Sequence, residues 1–142
     1  RRAMAGRQGK GQQARQRRQQ GMNWIRPAKR LAIYLRDGLA CCWCGEALED
    51  GASLTLDHCL PYAKGGSNEA CNLVTACAAC NSSRGARTMA GYARVVQERT
   101  NRQAAEVLAA VGRARRRVLD MDTARAMVAR RGLAGALLDA RR

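Results

Sequence analysis

The chain has 142 residues, with 26 Lys and Arg against 11 Asp and Glu, so its formal net charge at pH 7 is +15. This length suits one domain or one small domain with appendages, and the charge predicts affinity for a polyanion such as nucleic acid. No apolar run approaches the roughly 20 residues that span a bilayer, and no secretory signal pattern is present, so we expect a cytoplasmic protein that does not bind membranes.

The N-terminal segment is strongly basic and has little apolar surface to bury. Residues 1–30 contain ten Lys and Arg and no acidic residue. We expect residues 1–28 to form a disordered arm, which either grips phosphates or is an incidental tail. Position 1 is not Met, and a native start at Met22 is an alternative for this segment.

A short helix is predicted over residues 29–38. Leu31, Tyr34 and Leu35 recur at helical spacing, and Gly38 supplies a C-terminal stop. This helix precedes the first cysteines and is the first element expected to contribute to the core.

Two strands are predicted after this helix. Residues 53–58 alternate apolar and polar side chains, residues 61–72 form a loop rich in Gly and polar residues, and residues 73–76 form the second strand. A helix is expected to begin near Asn81. The order strand, strand, helix gives a small core, which usually needs a staple.

Two Cys-x-x-Cys pairs flank the strands and predict a zinc site. The four candidate ligands are Cys41, Cys44, Cys77 and Cys80. Four thiolates in a tetrahedron form a closed site, which is structural rather than catalytic. Seven cysteines are an odd number, so a monomer cannot be fully disulfide-paired, and neither pair has the βαβ context of a redox motif. We expect the remaining Cys42, Cys59 and Cys71 to be small buried side chains.

The chain's single histidine lies at the end of the first strand. His58 follows Asp57, and Asn81 follows the second cysteine pair. Such a set inside a metal-stapled frame is typical of phosphodiester cutting, whereas turn or cap roles are the structural alternatives. Adjacent residues of a regular strand point to opposite faces. Asp57 and His58 can therefore serve one phosphate only if the strand ends or distorts there.

Three basic residues are predicted to contact phosphates. Asn81, Arg84 and Arg87 are spaced by three, so we expect them to share one face of the helix. Arg84 is the leading phosphate contact, followed by Arg87 and by Lys64 in the loop.

The chain beyond Met89 is predicted to be helical and rich in Ala and Arg. One amphipathic stripe comprises Ala93, Val96, Thr100, Ala104, Val107, Val111, Ala114 and Val118. We expect it to pack on the domain or on a second copy. A second helix is predicted over residues 122–132. The basic cluster at Arg113 and residues 115–117 is interpreted as a solvated face, with DNA contact as the alternative.

Several spaced elements over residues 29–90 resemble the HNH endonucleases of the ββα-metal fold. They are Arg36-Asp37-Gly38, Cys41-x-x-Cys44-Gly45, Leu56-Asp57-His58-x-x-Pro61, Gly65-Gly66, Asn72-Leu73-Val74, Cys77-x-x-Cys80-Asn81 and Arg84-Gly85. The third motif position is Asn81 instead of His, a variant that keeps a metal ligand. Cys59 stands where the family usually has an aliphatic residue.

The resemblance implies an α+β fold. A small zinc-stapled ββα-metal core would occupy residues 29–90, with the disordered basic arm at residues 1–28 and a helical extension at residues 91–142.

The resemblance also implies catalytic roles. His58 would be the general base that takes a proton from the attacking water. Asp57 and Asn81 would hold one divalent cation, Mg²⁺, through oxygen atoms, and Asn72 would brace the loop that orients His58. Products would carry 5′-phosphate and 3′-hydroxyl ends.

The leading hypothesis is therefore a metal-dependent DNA endonuclease, with RNA as an alternative substrate. One alternative is a catalytically silent, zinc-bearing nucleic-acid-binding module. Another is an HNH protein associated with phage DNA packaging that cuts only with a partner. A second copy of the chain, or a phage or restriction partner, would bind through the C-terminal helices.

Overall fold

The computed structural model describes residues 25–141. The helices and strands are α1 (Pro27–Arg36), β1 (Leu54–His58), β2 (Leu73–Cys77), α2 (Ala78–Arg84), α3 (Met89–Arg99), α4 (Ala104–Arg116) and α5 (Met121–Ala140). Short 3₁₀ helices occupy Leu48–Asp50, Tyr62–Lys64 and Ala70–Asn72. Most of the predicted basic arm, including Met22, lies outside the described residues. Its last four residues are not a disordered tail, because Ile25 is buried and α1 begins at Pro27.

The two strands form an antiparallel sheet on which α2 packs. The register places Leu54 opposite Cys77 and His58 opposite Leu73. Every residue of β2 is buried, because α1 and α4 also contact this strand. The predicted α+β fold with a strand, strand, helix core is confirmed, and its helix begins at Ala78, three residues earlier than predicted.

The end of α1 is fastened to β2 by a buried ion pair. Arg36 Nε lies 2.7 Å from Asp37 Oδ1, and both side chains are at most 1% exposed. Arg36 also donates to the Leu73 carbonyl at 2.6 Å, and the Thr75 backbone N–H donates to Asp37 Oδ2 at 2.8 Å. These bonds satisfy backbone groups of a strand that has a single partner strand.

The segment that carries the first cysteine pair forms a tight knuckle. An isolated bridge joins Ala40 to Ala47 and closes the knuckle at its base. Trp43 at its tip is fully buried, and its ring meets that of Tyr92 from α3 edge to face at 5.2 Å. The knuckle therefore supplies the largest side chain of the main hydrophobic core.

The predicted long amphipathic helix is instead two helices that fold against each other. α3 ends at Arg99 and α4 begins at Ala104. The turn is held by side chains, since Gln97 Oε1 accepts from the Ala104 backbone N–H at 2.8 Å. The stripe residues Ala93, Val96, Val107, Val111 and Ala114 are buried in one core. Val118 lies beyond the end of α4 and is 92% exposed.

The last helix is longer than predicted. α5 begins after Asp120, whose side chain accepts from the Thr123 backbone N–H at 3.0 Å, and it continues to Ala140. The helix is interrupted at the predicted stop, Gly132, where a positive φ of 67° marks a kink, and helical structure resumes beyond it. α5 packs along α1. Among the helices of residues 25–141, none combines the length and apolarity needed to cross a membrane.

Candidate functional site

The four predicted cysteine ligands form one cluster. The sulfur atoms of Cys41, Cys44, Cys77 and Cys80 all lie within 4.8 Å of one another. Backbone N–H groups support the sulfurs, since Cys44 N donates to Cys41 Sγ at 3.5 Å and Cys80 N donates to Cys77 Sγ at 3.4 Å. Residues 32 or more positions apart in sequence are thus brought into a metal-binding arrangement, as the sequence predicts.

The thiols of this cluster are not equivalent. A hydrogen bond from Cys80 lowers the pKa of Cys41 to about 5, and the same bond raises the pKa of Cys80. Burial raises the pKa of Cys44 to about 11.

The three remaining cysteines differ in burial. Cys59 is 4% exposed and lies in the main core, where burial raises the pKa of its thiol to about 11. Cys42 is partly buried, whereas Cys71 is exposed. The prediction of burial is therefore wrong for Cys71. All seven cysteines are free thiols.

Three of the four predicted catalytic residues line one cleft of about 210 Å³, and the fourth, Asn72, lies outside its lining. Asp57, His58 and Asn81 are joined there by Leu56, Pro61, Tyr62, Ala63 and Gly85. β1 ends at His58. Asp57 and His58 both pair within the sheet, with Val74 and Leu73, and the strand ends directly after them.

Asp57 is a buried carboxylate held by two donors. Its Oδ2 accepts from Trp43 Nε1 at 2.9 Å and from Arg84 Nη1 at 2.7 Å, and the residue is 7% exposed. Burial raises the pKa of Asp57, while the Arg84 guanidinium and the Trp43 hydrogen bond oppose this effect. Both bonds end on Oδ2, so the other oxygen, Oδ1, takes no part in this clamp.

Asn81 is oriented by its amide nitrogen. Nδ2 donates to Thr55 Oγ1 at 2.9 Å and to the Leu56 carbonyl at 3.2 Å, both on β1. These donors fix the amide so that its oxygen is the group left for a ligand. Asp57 and Asn81 thus each carry one side-chain oxygen that takes no part in these hydrogen bonds.

Asn72 bridges the two limbs of the loop that follows His58. Its Oδ1 accepts from the Leu60 N–H at 2.9 Å, and its Nδ2 donates to the carbonyls of Leu60 at 3.1 Å and Ser67 at 2.8 Å. Gly66 allows this closure, because a Cβ there would lie 1.8 Å from the Leu60 oxygen. The side chain is placed as a loop brace would be.

His58 is half-buried and contacts the same loop. Its Nε2 lies 2.8 Å from Asn68 Oδ1, and its ring lies 6.1 Å from the ring of Tyr62. Lys29 Nζ, on α1, donates to the backbone carbonyl of Asn68 at 2.8 Å. Asn68 therefore connects the imidazole to α1.

Arg84 is buried, contrary to its predicted exposure to phosphate. Its side chain is 1% exposed and donates to Asp57 Oδ2 and to the carbonyls of His58 at 2.7 Å and Cys59 at 2.6 Å. Its guanidinium carbon also lies 5.2 Å from the centre of the Trp43 ring. The predicted shared face is wrong as well, because α2 ends at Arg84 and Arg87 lies beyond it. Arg87 and Lys64 are exposed.

Replacing Arg84 with Met is expected to destabilise the fold by about 3–5 kcal/mol, because it leaves the Asp57 carboxylate buried without its charged partner. Chemical unfolding measures this change. The matched control is Arg87→Met, an exposed site where about 0.5 kcal/mol or less is expected. Equal unfolding free energies for the two variants would contradict the buried pairing.

Two residues that position the site have no signal in the sequence pattern. Trp43 supports Asp57 from within the knuckle. Arg102, between α3 and α4, donates to the carbonyls of Cys42 at 3.0 Å and Trp43. The Trp43 contact links residues 14 positions apart and the Arg102 contacts link residues about 60 positions apart, which periodicity and spacing do not reveal.

One comparison with known proteins matches the segment that carries this site. Residues 41–94 match the family model described as HNH endonuclease. Among solved structures, the Type II-C Cas9 enzyme from Actinomyces naeslundii is similar, with a TM-score of 0.49 and 24% identity. The alignment covers 99% of this chain and 14% of that chain. Curated proteins give no match. The family match supports a nuclease function, and it confirms the predicted resemblance to the HNH endonuclease family for residues 41–94 of the chain.

Proposed function

We propose that this protein is a divalent-metal-dependent endonuclease that hydrolyses phosphodiester bonds of DNA. The observation that carries the proposal is the single cleft lined by Asp57, His58 and Asn81. The cleft lies within the segment that matches HNH endonucleases. The net charge of +15 favours a polyanionic substrate.

His58 acts as the general base in this proposal. A neutral imidazole can take a proton from a water that attacks the phosphorus. Asn72 holds the loop beside His58 closed through Leu60 and Ser67, which limits how far the imidazole can move. Cleavage then leaves 5′-phosphate and 3′-hydroxyl ends.

Asp57 and Asn81 hold the catalytic cation in this proposal. Both offer one oxygen that their own hydrogen bonds leave available, and Mg²⁺ prefers oxygen ligands and keeps several waters. When bound, Mg²⁺ supplies charge neutralisation at the phosphate and at the leaving 3′ oxygen. Arg84 and Trp43 keep the Asp57 carboxylate in one orientation for this purpose.

The four-cysteine cluster is a structural zinc site in this proposal. Four thiolates at the usual Zn–S distance of about 2.3 Å lie about 3.8 Å apart in a tetrahedron. Cys44 Sγ and Cys77 Sγ are 3.8 Å apart. Four sulfur ligands leave no position for water or substrate, so this ion takes no part in the chemistry.

The flanks of the catalytic segment hold the nucleic acid in this proposal. Residues 31–89 contain four basic and six acidic residues, whereas residues 90–142 contain twelve basic and five acidic ones. Lys64 and Arg87 are the exposed cations of the catalytic segment, and Arg113, Arg116 and Arg117 are exposed on or just after α4. Binding through phosphates is expected to weaken steeply as salt rises.

The proposed function is tested by incubating zinc-loaded protein with supercoiled plasmid and Mg²⁺, with EDTA as the metal-free condition. We expect nicking or linearisation that depends on Mg²⁺. Asn81→Ala removes one cation ligand and is expected to slow cutting on the order of 100-fold, since such charge stabilisation is worth several kcal/mol. Asn101→Ala, an exposed site between α3 and α4, is the matched control and should cut normally.

Two other outcomes would replace the proposed function. A salt-sensitive band shift without cutting in Mg²⁺ would indicate a catalytically silent binding module. Cutting that appears only after a partner protein is added would indicate a nuclease that works within a complex. Nicks that DNA ligase can seal would identify 5′-phosphate and 3′-hydroxyl ends.

A further inference from the structure

We infer that Asn68 is a positioning residue that selects the tautomer of His58, so that Nδ1 is the ring nitrogen that accepts the proton. The role of Nδ1 rests on the proposed function, whereas the tautomer itself does not. The observation behind it is the 2.8 Å contact between His58 Nε2 and Asn68 Oδ1.

An amide oxygen can only accept a hydrogen bond, so the contact places the proton of a neutral imidazole on Nε2. Nδ1 is then the nitrogen that carries the lone pair. A general base needs its lone pair on the atom that meets the water, and a wrong tautomer removes the base without moving the ring. Asn68 thus decides whether His58 can act.

Asn68 is held in place by neighbours on both sides of the contact. Lys29 Nζ donates to its backbone carbonyl at 2.8 Å, from α1. Asn72 Nδ2 donates to the carbonyl of the preceding residue, Ser67, at 2.8 Å. The brace at Asn72 therefore acts on His58 through the segment that carries Asn68. The bonds that close the loop therefore also hold the residue that orients the imidazole.

The single histidine of the chain makes the tautomer directly measurable. With ¹⁵N-histidine label, a long-range ¹H–¹⁵N spectrum of the full chain at pH 8 contains signals from His58 alone. We expect the ring proton on Nε2, protected from solvent exchange by its hydrogen bond. Asn68→Asp keeps an acceptor at this position and should preserve the protected proton, whereas Asn68→Ala should lose the protection.

The rate of plasmid cutting gives the second readout. Asn68→Ala is expected to cut about 10- to 100-fold more slowly, the range found when the partner behind a metal-bound histidine is removed. The apparent affinity for DNA should change little, because a neutral amide contributes no charge. Asn68→Asp should retain more activity than Asn68→Ala, and Asn101→Ala is again the matched control.

A ring proton on Nδ1 in the unsubstituted protein would overturn the inference. Equally fast exchange of the Nε2 proton in the unsubstituted protein and in Asn68→Ala would overturn it too. A protein that shows the protected Nε2 proton but cuts no DNA would support the tautomer assignment and contradict the proposed function. The spectrum requires neither DNA nor Mg²⁺, so the two failures are distinguishable.

Discussion

Replacing His58 with Ala is expected to lower the rate of DNA cutting by about 10²- to 10⁴-fold, the usual contribution of a general base. The loss should be close to complete in a gel assay, because the chain contains one histidine and no second imidazole can take its place. DNA affinity should change little, because the substitution leaves in place the exposed Lys and Arg side chains that are proposed to hold the phosphates. Plasmid conversion and a band shift with the same protein sample measure the two quantities.

Rescue with free imidazole separates a chemical role from a structural one. The cavity left by His58→Ala opens on the cleft, so added imidazole should restore part of the cutting rate without altering the thermal unfolding midpoint. Circular dichroism and zinc content serve as controls for the fold. Cutting by His58→Ala at the rate of the unsubstituted protein would show that another group activates the water.

Removal of metal from the four-cysteine cluster is expected to unfold residues 31–89, the segment that contains both strands and the cleft. Structural zinc binds with about 10–16 kcal/mol of apparent free energy in zinc-finger peptides, which is comparable to the whole stability of a typical domain, about 5–15 kcal/mol. The sheet has two strands and a short helix packed on it. The four-cysteine cluster lies in the main core, where it joins the knuckle to the end of β2, so loss of the metal would loosen both at once.

Cys80→Ser tests this expectation at nearly constant volume. We expect it to bind less than one zinc per chain and to lose its cooperative thermal transition. The burial-matched control is Cys59→Ser, because Cys59 is 4% and Cys80 7% exposed. Burying a hydroxyl instead of a thiol at Cys59 should cost about 1–3 kcal/mol and leave the zinc content unchanged.

Metal analysis and calorimetry of the two variants test whether the cluster holds a structural metal. Equal zinc content and equal unfolding midpoints for Cys80→Ser and Cys59→Ser would contradict a structural metal at the cluster. A chelator provides an independent check, because EDTA should abolish the transition of the unsubstituted protein after prolonged incubation.

The sequence predicts the local elements of the core well, because their signals are local. Cysteine spacing indicates both knuckles, and the run that ends at His58 predicts β1. The order of the motifs along the chain also predicts which residues come together. Asp57, His58 and Asn81 line one cleft, as expected. The chemistry assigned to these residues stays a prediction.

The burial of Arg84 could not be read from helical spacing. Spacing by three indicates a shared face but not whether that face meets solvent or a neighbouring element. Arg84 faces the interior because the buried carboxylate of Asp57 pairs with its guanidinium, at the end of α2. A basic residue interpreted as a contact to substrate is therefore part of the support of the site.

The turn between α3 and α4 could not be predicted from the sequence for a related reason. Apolar spacing continues in phase across residues 100–103, because the residues on both sides of the turn face the same core. A continuous stripe then predicts one straight helix. The turn depends on side-chain bonds such as that of Gln97 to the Ala104 N–H, which hydrophobic periodicity does not record.

Trp43 joins the four-cysteine cluster to the cleft that Asp57 lines. It lies between the ligand positions Cys41 and Cys44, and its indole N–H reaches the carboxylate of Asp57. Loss of the indole N–H at position 43 would therefore remove one of the two donors of the buried Asp57 carboxylate while all four cysteines and the histidine remain intact. A change in the knuckle is in this way also a change in the lining of the cleft.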